Sequence, residues 1–239
     1  MDYAMSPRKL GLAALVGLFA VYAAFGDEAK PGIVVDKDKR TVSIDAKIAP
    51  RIIDDPRYKR EDGKPYPLEV IASWPFPKGQ KAHETVVTID VKPSEVHKAL
   101  ESLGLKAGKP VVGESKEAPQ GPEVKIYLEV PTEDRQTKRL PIERVLIDPK
   151  TNKPMPKVQW RFTGSVLKQP NPDKDEKVYG ADLTGTLISI FPVTNETVFQ
   201  TNLTMKEEKY VKLETNAKLL PKEGTAVKLI VEIPAREKP

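Results

Sequence analysis

Cysteine is absent from all 239 residues, and that one absence removes disulfides, thiolate nucleophiles, iron–sulfur ligation and cysteine-based zinc sites together. It also removes the lipid-bearing cysteine of a lipobox. Histidine is scarce, limited to His83 and His97, so any Ser-His-acid triad must use one of these two. No Gly-rich phosphate loop and no Gly-x-Ser-x-Gly elbow occur. A His-Glu-x-x-His metal motif starting at His83 fails because position 87 is Val. No cofactor motif is present, so no cofactor is expected.

What is there describes a folded, loop-rich chain. Hydrophobic residues make up 39% and charged residues 31%, which is a globular balance, while 23 prolines and 6% aromatics point to many turns and short elements. The length suits one large domain or two small ones. The 39 basic and 34 acidic side chains are interspersed, as in Lys206-Glu207-Glu208-Lys209. Such mixing reads as a solvated surface, not a phosphate-binding stripe, and argues against nucleic acid as a partner.

The N-terminus reads as an export signal. Arg8-Lys9 supplies the positive region, residues 10–25 carry no charge, and Ala24-Phe25-Gly26 offers small residues at the first and third places of a cleavage site. Residues 1–26 are therefore expected to be a signal peptide, with a retained anchor through residues 10–25 as the rival, because about 20 apolar residues span a bilayer. Either way the remainder is expected outside the cytoplasm, periplasmic or secreted. Removing residues 1–26 leaves 37 basic against 33 acidic side chains, a net charge of +4.

Residues 27–32 read as a linker. Beyond it, Ile33-Val34-Val35 and Thr41-Val42-Ser43-Ile44 flank a polar turn and predict a hairpin. Residues 50–67, rich in charge and proline, are expected to be irregular. Strand character resumes at residues 68–72, and Trp74-Pro75-Phe76-Pro77 predicts an extended loop. Residues 82–91 alternate, which predicts a strand with His83, Thr85, Val87, Ile89 and Val91 facing the core. Pro93-Ser94-Glu95 opens the clearest helix, with an apolar stripe of Val96, Ala99, Leu100 and Leu103 and with Gly104 as its left-handed end. Further strands are expected at residues 124–130, 144–147, 158–163, 186–191, 197–204, 210–213 and 226–233. The sum is an α+β fold, a strand-rich single domain over residues 33–239 with one clear amphipathic helix.

Several stretches together carry a family resemblance. Gly79-x-Lys81-Ala82-His83-Glu84-Thr85 runs into Lys92-Pro93-Ser94-Glu95-Val96-His97-Lys98-Ala99-Leu100 and Gly104-Leu105. Later come Trp160-Arg161-Phe162-Thr163-Gly164-Ser165, Tyr179-Gly180-Ala181-Asp182-Leu183-Thr184-Gly185, and Leu220-Pro221-Lys222-Glu223-Gly224-Thr225-Ala226-Val227. In this order they resemble the YdjY-domain family of bacterial exported proteins, its planctomycete-like members in particular. The resemblance implies kinship over nearly all of the chain after the signal and carries no activity with it. A ferredoxin-like label borne by some members does not transfer to a chain without cysteine.

Four residues are candidates for chemistry: His83, Glu84, Ser165 and Asp182. His83-Glu84 offers an imidazole and a carboxylate, yet on a strand neighbouring side chains diverge, which assigns His83 to the inner face and Glu84 to the other. His97 is a weak metal candidate with His83, and the plainer expectation is a helix-surface pair with Glu101. Ser165 after Gly164 reads as a turn or bulge, and Asp182 with Gly185 as a chain reversal. The expected function is a non-catalytic envelope domain that binds another protein or an envelope polymer. The rival is a hydrolase-like envelope enzyme using His83 with Glu84, Ser165 or Asp182.

Overall fold

The computed structural model describes residue 1, residues 31–134 and residues 136–235. The expected signal and the linker up to residue 30 thus lie, residue 1 apart, outside the described residues. Among the described residues no helix is long and apolar enough to cross a membrane.

The chain opens with the expected hairpin, β1 (Ile33–Asp36) and β2 (Thr41–Ile48), in which Asp36 stands opposite Thr41 and its carboxylate accepts the Lys39 N–H. β3 (Val70–Ser73), β4 (Thr85–Ile89) and helix α1 (Pro93–Ser102) follow, then β5 (Glu123–Pro131), β6 (Thr137–Pro141), β7 (Leu146–Ile147) and β8 (Trp160–Phe162). The remainder comprises β9 (Leu167–Lys168), β10 (Val178–Tyr179), α2 (Ala181–Thr184), β11 (Thr186–Ser189), β12 (Phe199–Thr201), α3 (Met205–Tyr210), β13 (Glu214–Thr215) and β14 (Ala226–Glu232). Strand richness with few helices agrees with the expected class.

Eight of these strands close into a barrel, in the order β2-β14-β5-β8-β12-β11-β3-β4 and back to β2. Six of the pairings are antiparallel, and β11–β12 and β3–β4 are parallel. One edge of β2 is shared: its first half pairs with β1, and Ala46, Lys47 and Ile48 pair with Ile89, Thr88 and Val87 of β4. That seam closes the sheet. Val42, Ile44, Leu128, Phe162, Phe199, Leu229 and Val231 are all buried in the core. Filling the interior with side chains is what an eight-stranded barrel does.

Helix α1 obeys its sequence signals. Val96 and Leu100 are fully buried, with Ala99 and Leu103 packed against the core. Gly104, at φ +83°, donates to the Glu101 carbonyl while Leu105 donates to that of Leu100. This is the paired hydrogen bonding of a Schellman ending, and Leu100 and Leu105 are buried with it.

Elsewhere the structure corrects the sequence reading. Residues 82–91 are not one strand, because Ala82–Glu84 is a 3-10 turn and β4 starts at Thr85. The Trp74-Pro75-Phe76-Pro77 segment reverses direction, with Lys78 and Gly79 N–H groups donating to the Pro75 carbonyl, where an extended loop is expected. Ile142–Val145 is a 3-10 turn that leaves only Leu146–Ile147 as strand, and residues 210–213 end α3 where a strand is expected.

Two glycine substitutions separate conformational from steric cost. Gly104→Ala meets nothing within 4 Å, so only its left-handed φ opposes it, at about 1–2 kcal/mol. Gly121, at φ +142°, would place a Cβ 2.0 Å from the Phe162 carbonyl oxygen, so Gly121→Ala is expected to lower the urea midpoint more than Gly104→Ala.

Candidate functional site

The sequence candidates fall into two corners. The first grows from the barrel seam. Antiparallel pairing of β2 and β4 continues past Ile48, where the Ala49 N–H donates to the Val86 carbonyl, and so brings Arg51 to the turn that precedes β4. The Arg51 guanidinium donates to the carbonyls of His83 and Tyr66 and pairs with Glu214 at 3.1 Å. Parallel pairing of β3 with β4 sets Glu69 beside Glu84, since the Glu69 N–H donates to the Glu84 carbonyl. The Lys81 ammonium bridges the two carboxylates, at 2.6 Å from Glu69 and 2.7 Å from Glu84.

His83 stands at the edge of this ion network. Because residues 82–84 form a turn, its imidazole and the Glu84 carboxylate approach to 3.4 Å and do not diverge as on a strand. The expectation that Glu84 sits on the opposite face is therefore overturned. The ring packs at a tilt of 39° against Tyr58, 4.5 Å between centroids, and meets Tyr66 edge-on at 5.0 Å. Tyr58 in turn meets Phe76 edge-on. The ring thus joins the irregular segment 50–67 to the barrel. The Nδ1 atom is buried and unpartnered, an exception among buried polar groups, which are mostly hydrogen-bonded.

Charge in this corner is unevenly held. Burial pushes the Glu69 carboxyl above its usual value despite its bond to Lys81. Burial acts the same way on Glu84, but hydrogen bonds from His83 and Lys81 outweigh it and bring that carboxyl down to about 2. Burial opposes the charge on Lys81, and the two carboxylates outweigh it and raise its value. Glu84 is thus the anion that holds the ammonium, and Glu69 the carboxyl more readily protonated.

The second corner holds Ser165, Asp182 and His97. Asp182 does more than reverse the chain: its carboxylate accepts the Ser94 N–H at 2.8 Å and the Ser94 hydroxyl at 2.5 Å. Lys92, at the start of α1, has no oxygen with which to cap, so Asp182 caps that helix from α2. His97 packs edge-on against Phe162 and Tyr179. Its Nε2 lies 3.3 Å from Glu101, the expected helix pair, and its Nδ1 lies 2.7 Å from the Tyr179 hydroxyl. That hydroxyl accepts the Ser165 N–H, and the Ser165 Oγ accepts the Ala181 N–H. Burial raises the Tyr179 phenol well above its usual value.

A chain of bonds therefore runs from Glu101 through His97 and Tyr179 to the backbone of Ser165, with the Ser165 hydroxyl bonded elsewhere. Among the described residues no group of three His, Asp or Glu is placed to hold a metal ion. His97 rests on β8 and His83 precedes β4, with three barrel strands between. Arg51, Tyr58 and Glu69 escaped the sequence reading, and Lys81 and Tyr179 entered it only within the family stretches. Only Lys81, three residues before Glu84, carried a local signal.

A cleft of about 760 Å³ lies across β4, β2, β14 and β5. Its lining includes Asp45, Lys47, Asp90, Glu129 and Lys228, and none of the sequence candidates.

The model of the YdjY domain matches residues 33–232, and the chain belongs to that family. No curated protein and no solved structure matches the chain.

Two measurements check the roles assigned here. Glu84→Gln is expected to cost about 1–3 kcal/mol at pH 7 by leaving a half-buried cation short of one of its two anions. Because the folded carboxyl of Glu84 lies below its unfolded value, its stabilisation is full above pH 4.5 and fades as the pH falls toward 2. The variant should flatten that limb of a pH titration of stability, and an unchanged limb would refute the assignment. Asp182→Ala should lower stability by about 0.5–2 kcal/mol through loss of a helix cap, and Ser94→Ala should lose part of the same energy, which a double-mutant cycle reads.

Proposed function

We propose that this YdjY-domain protein is an exported module of the cell envelope that binds another protein or an envelope polymer and catalyses no reaction. The observation that carries this reading is how the candidate side chains are engaged. The Ser165 hydroxyl accepts a backbone amide, the Asp182 carboxylate caps a helix, and Glu84 neutralises a half-buried ammonium. None of them lines the 760 Å³ cleft. A nucleophile and its base belong within hydrogen-bond reach of each other, and here Ser165 and His97 meet only through Tyr179.

Export rests on the order of Arg8-Lys9, the uncharged run 10–25 and Ala24-Phe25-Gly26. In this reading residues 33–239 form one domain beyond the signal and a short linker. N-terminal sequencing of the protein from its native host is expected to begin near Asp27. An intact Met1 in the membrane fraction would replace the cleaved signal with an anchor. For the binding role, the purified protein is expected to retain a component of an envelope extract equally well as wild type and as Ser165→Ala. A hydrolase or transferase activity lost on changing one of His83, Glu84, Ser165 or Asp182 would establish the enzyme reading instead.

A further inference from the structure

Segment 50–67 closes a small cleft of about 170 Å³, lined by Arg51, Tyr58, Lys59, Arg60 and Lys64 together with apolar and glycine positions and no carboxylate. The volume is below the roughly 300 Å³ at which pockets for drug-sized molecules begin. It suits a compact group. Three of the cations have partners: Lys59 pairs with Asp54, Arg60 with Asp62 and Arg51 with Glu214. Asp54 and Asp62 are well exposed, where water screens such pairs and leaves them weak. Asp62 engages only two of the N–H groups of Arg60, leaving the rest of that fork open.

A second observation is independent of the charge. Among the described residues three buried side-chain polar atoms have no partner, and two of them, Arg51 Nε and His83 Nδ1, belong to neighbouring residues here. A buried guanidinium N–H without an acceptor is costly. With Nε sealed from solvent and its other N–H groups held by His83, Tyr66 and Glu214, the Arg51 guanidinium walls the cleft and leaves the contacts with a ligand to Arg60 and Lys64. Arg51 itself lines the cleft, with 11% of its side chain exposed.

We propose that this cleft receives a compact oxyanion, the phosphate or carboxylate group of an envelope polymer, held by Arg60 and Lys64 against the wall formed by Arg51. Guanidinium groups bind both kinds of oxyanion through charge-assisted, often bidentate hydrogen bonds. The proposal rests on the binding reading above and names its ligand chemistry.

The test is calorimetric titration of the purified chain at low ionic strength with inorganic phosphate and, separately, with acetate. Saturable binding of at least one anion is expected, weakened tenfold or more in Lys64→Glu and in Arg60→Glu with melting temperatures unchanged. The anion that binds more tightly identifies the group. The inference falls if neither anion saturates, or if both variants bind as wild type does. Retention on isolated envelope polymer is measured alongside. If wild type is retained while neither anion binds, the oxyanion site is refuted and the binding function stands. If nothing is retained and neither anion binds, both fall.

Discussion

Three residue pairs between β2 and β4 close the barrel, and the ion network around Lys81 follows from that seam. A closed sheet has no edges of its own to protect. The seam also fixes what lies at its end. Continuing the antiparallel ladder past Ile48 delivers Arg51 to His83, and the parallel neighbour β3 delivers Glu69 to Glu84. Two carboxylates brought together by the sheet repel each other, and the bridging Lys81 ammonium relieves that repulsion. The ion network is in this sense a consequence of strand register.

The opposite corner solves a different problem. Helix α1 begins at Lys92-Pro93, which supplies no capping oxygen, and it must still lie flat on the barrel with Val96 and Leu100 buried. Asp182 supplies the missing acceptor from α2, and the His97–Tyr179–Ser165 chain ties the middle of the helix to the end of β8. Gly164 is required here, because a Cβ at that position would come within 2.8 Å of Ala107 and 3.2 Å of His97. Ser165, Asp182 and His97, which look catalytic in the sequence, are thereby accounted for as contacts that dock one helix.

Legibility from sequence followed the range of the interactions. The β1–β2 hairpin and the ending of α1 are set by residues within a few positions of one another, and both were readable. Barrel closure pairs Ala46 with Ile89 and Lys228 with Asp45, contacts that no local pattern reveals. The alternation at residues 82–91 misled because β4 is buried on both faces, with Val86 as hidden as Val87. Its period therefore said nothing of where the strand began, and the turn at His83-Glu84 stayed invisible. β6 was missed because it is a charged strand, Thr-Lys-Arg-Leu-Pro, added to the side of β5 beyond the barrel, where lysine and proline discourage further pairing.

The barrel wall between β11 and β12 shows why function is best sought at the loops. Parallel neighbours ordinarily need a crossover of a dozen or more residues, and the connection through residues 190–198 is shorter. Buried side chains add bonds to its carbonyls: Thr201 donates to Ile190, Ser189 to Phe191, Thr163 to Val198 and Gln200 to Thr194. Gln200 also exchanges two bonds with Val111, clamping the loop 106–122 onto the wall. Hydroxyls and amides that would be reactive or ligand-binding in a cleft are here committed to the backbone. Outside the wall lies the charged segment 50–67, held against the barrel by the His83 ring and the Arg51 fork, whose own placement returns to the β2–β4 seam.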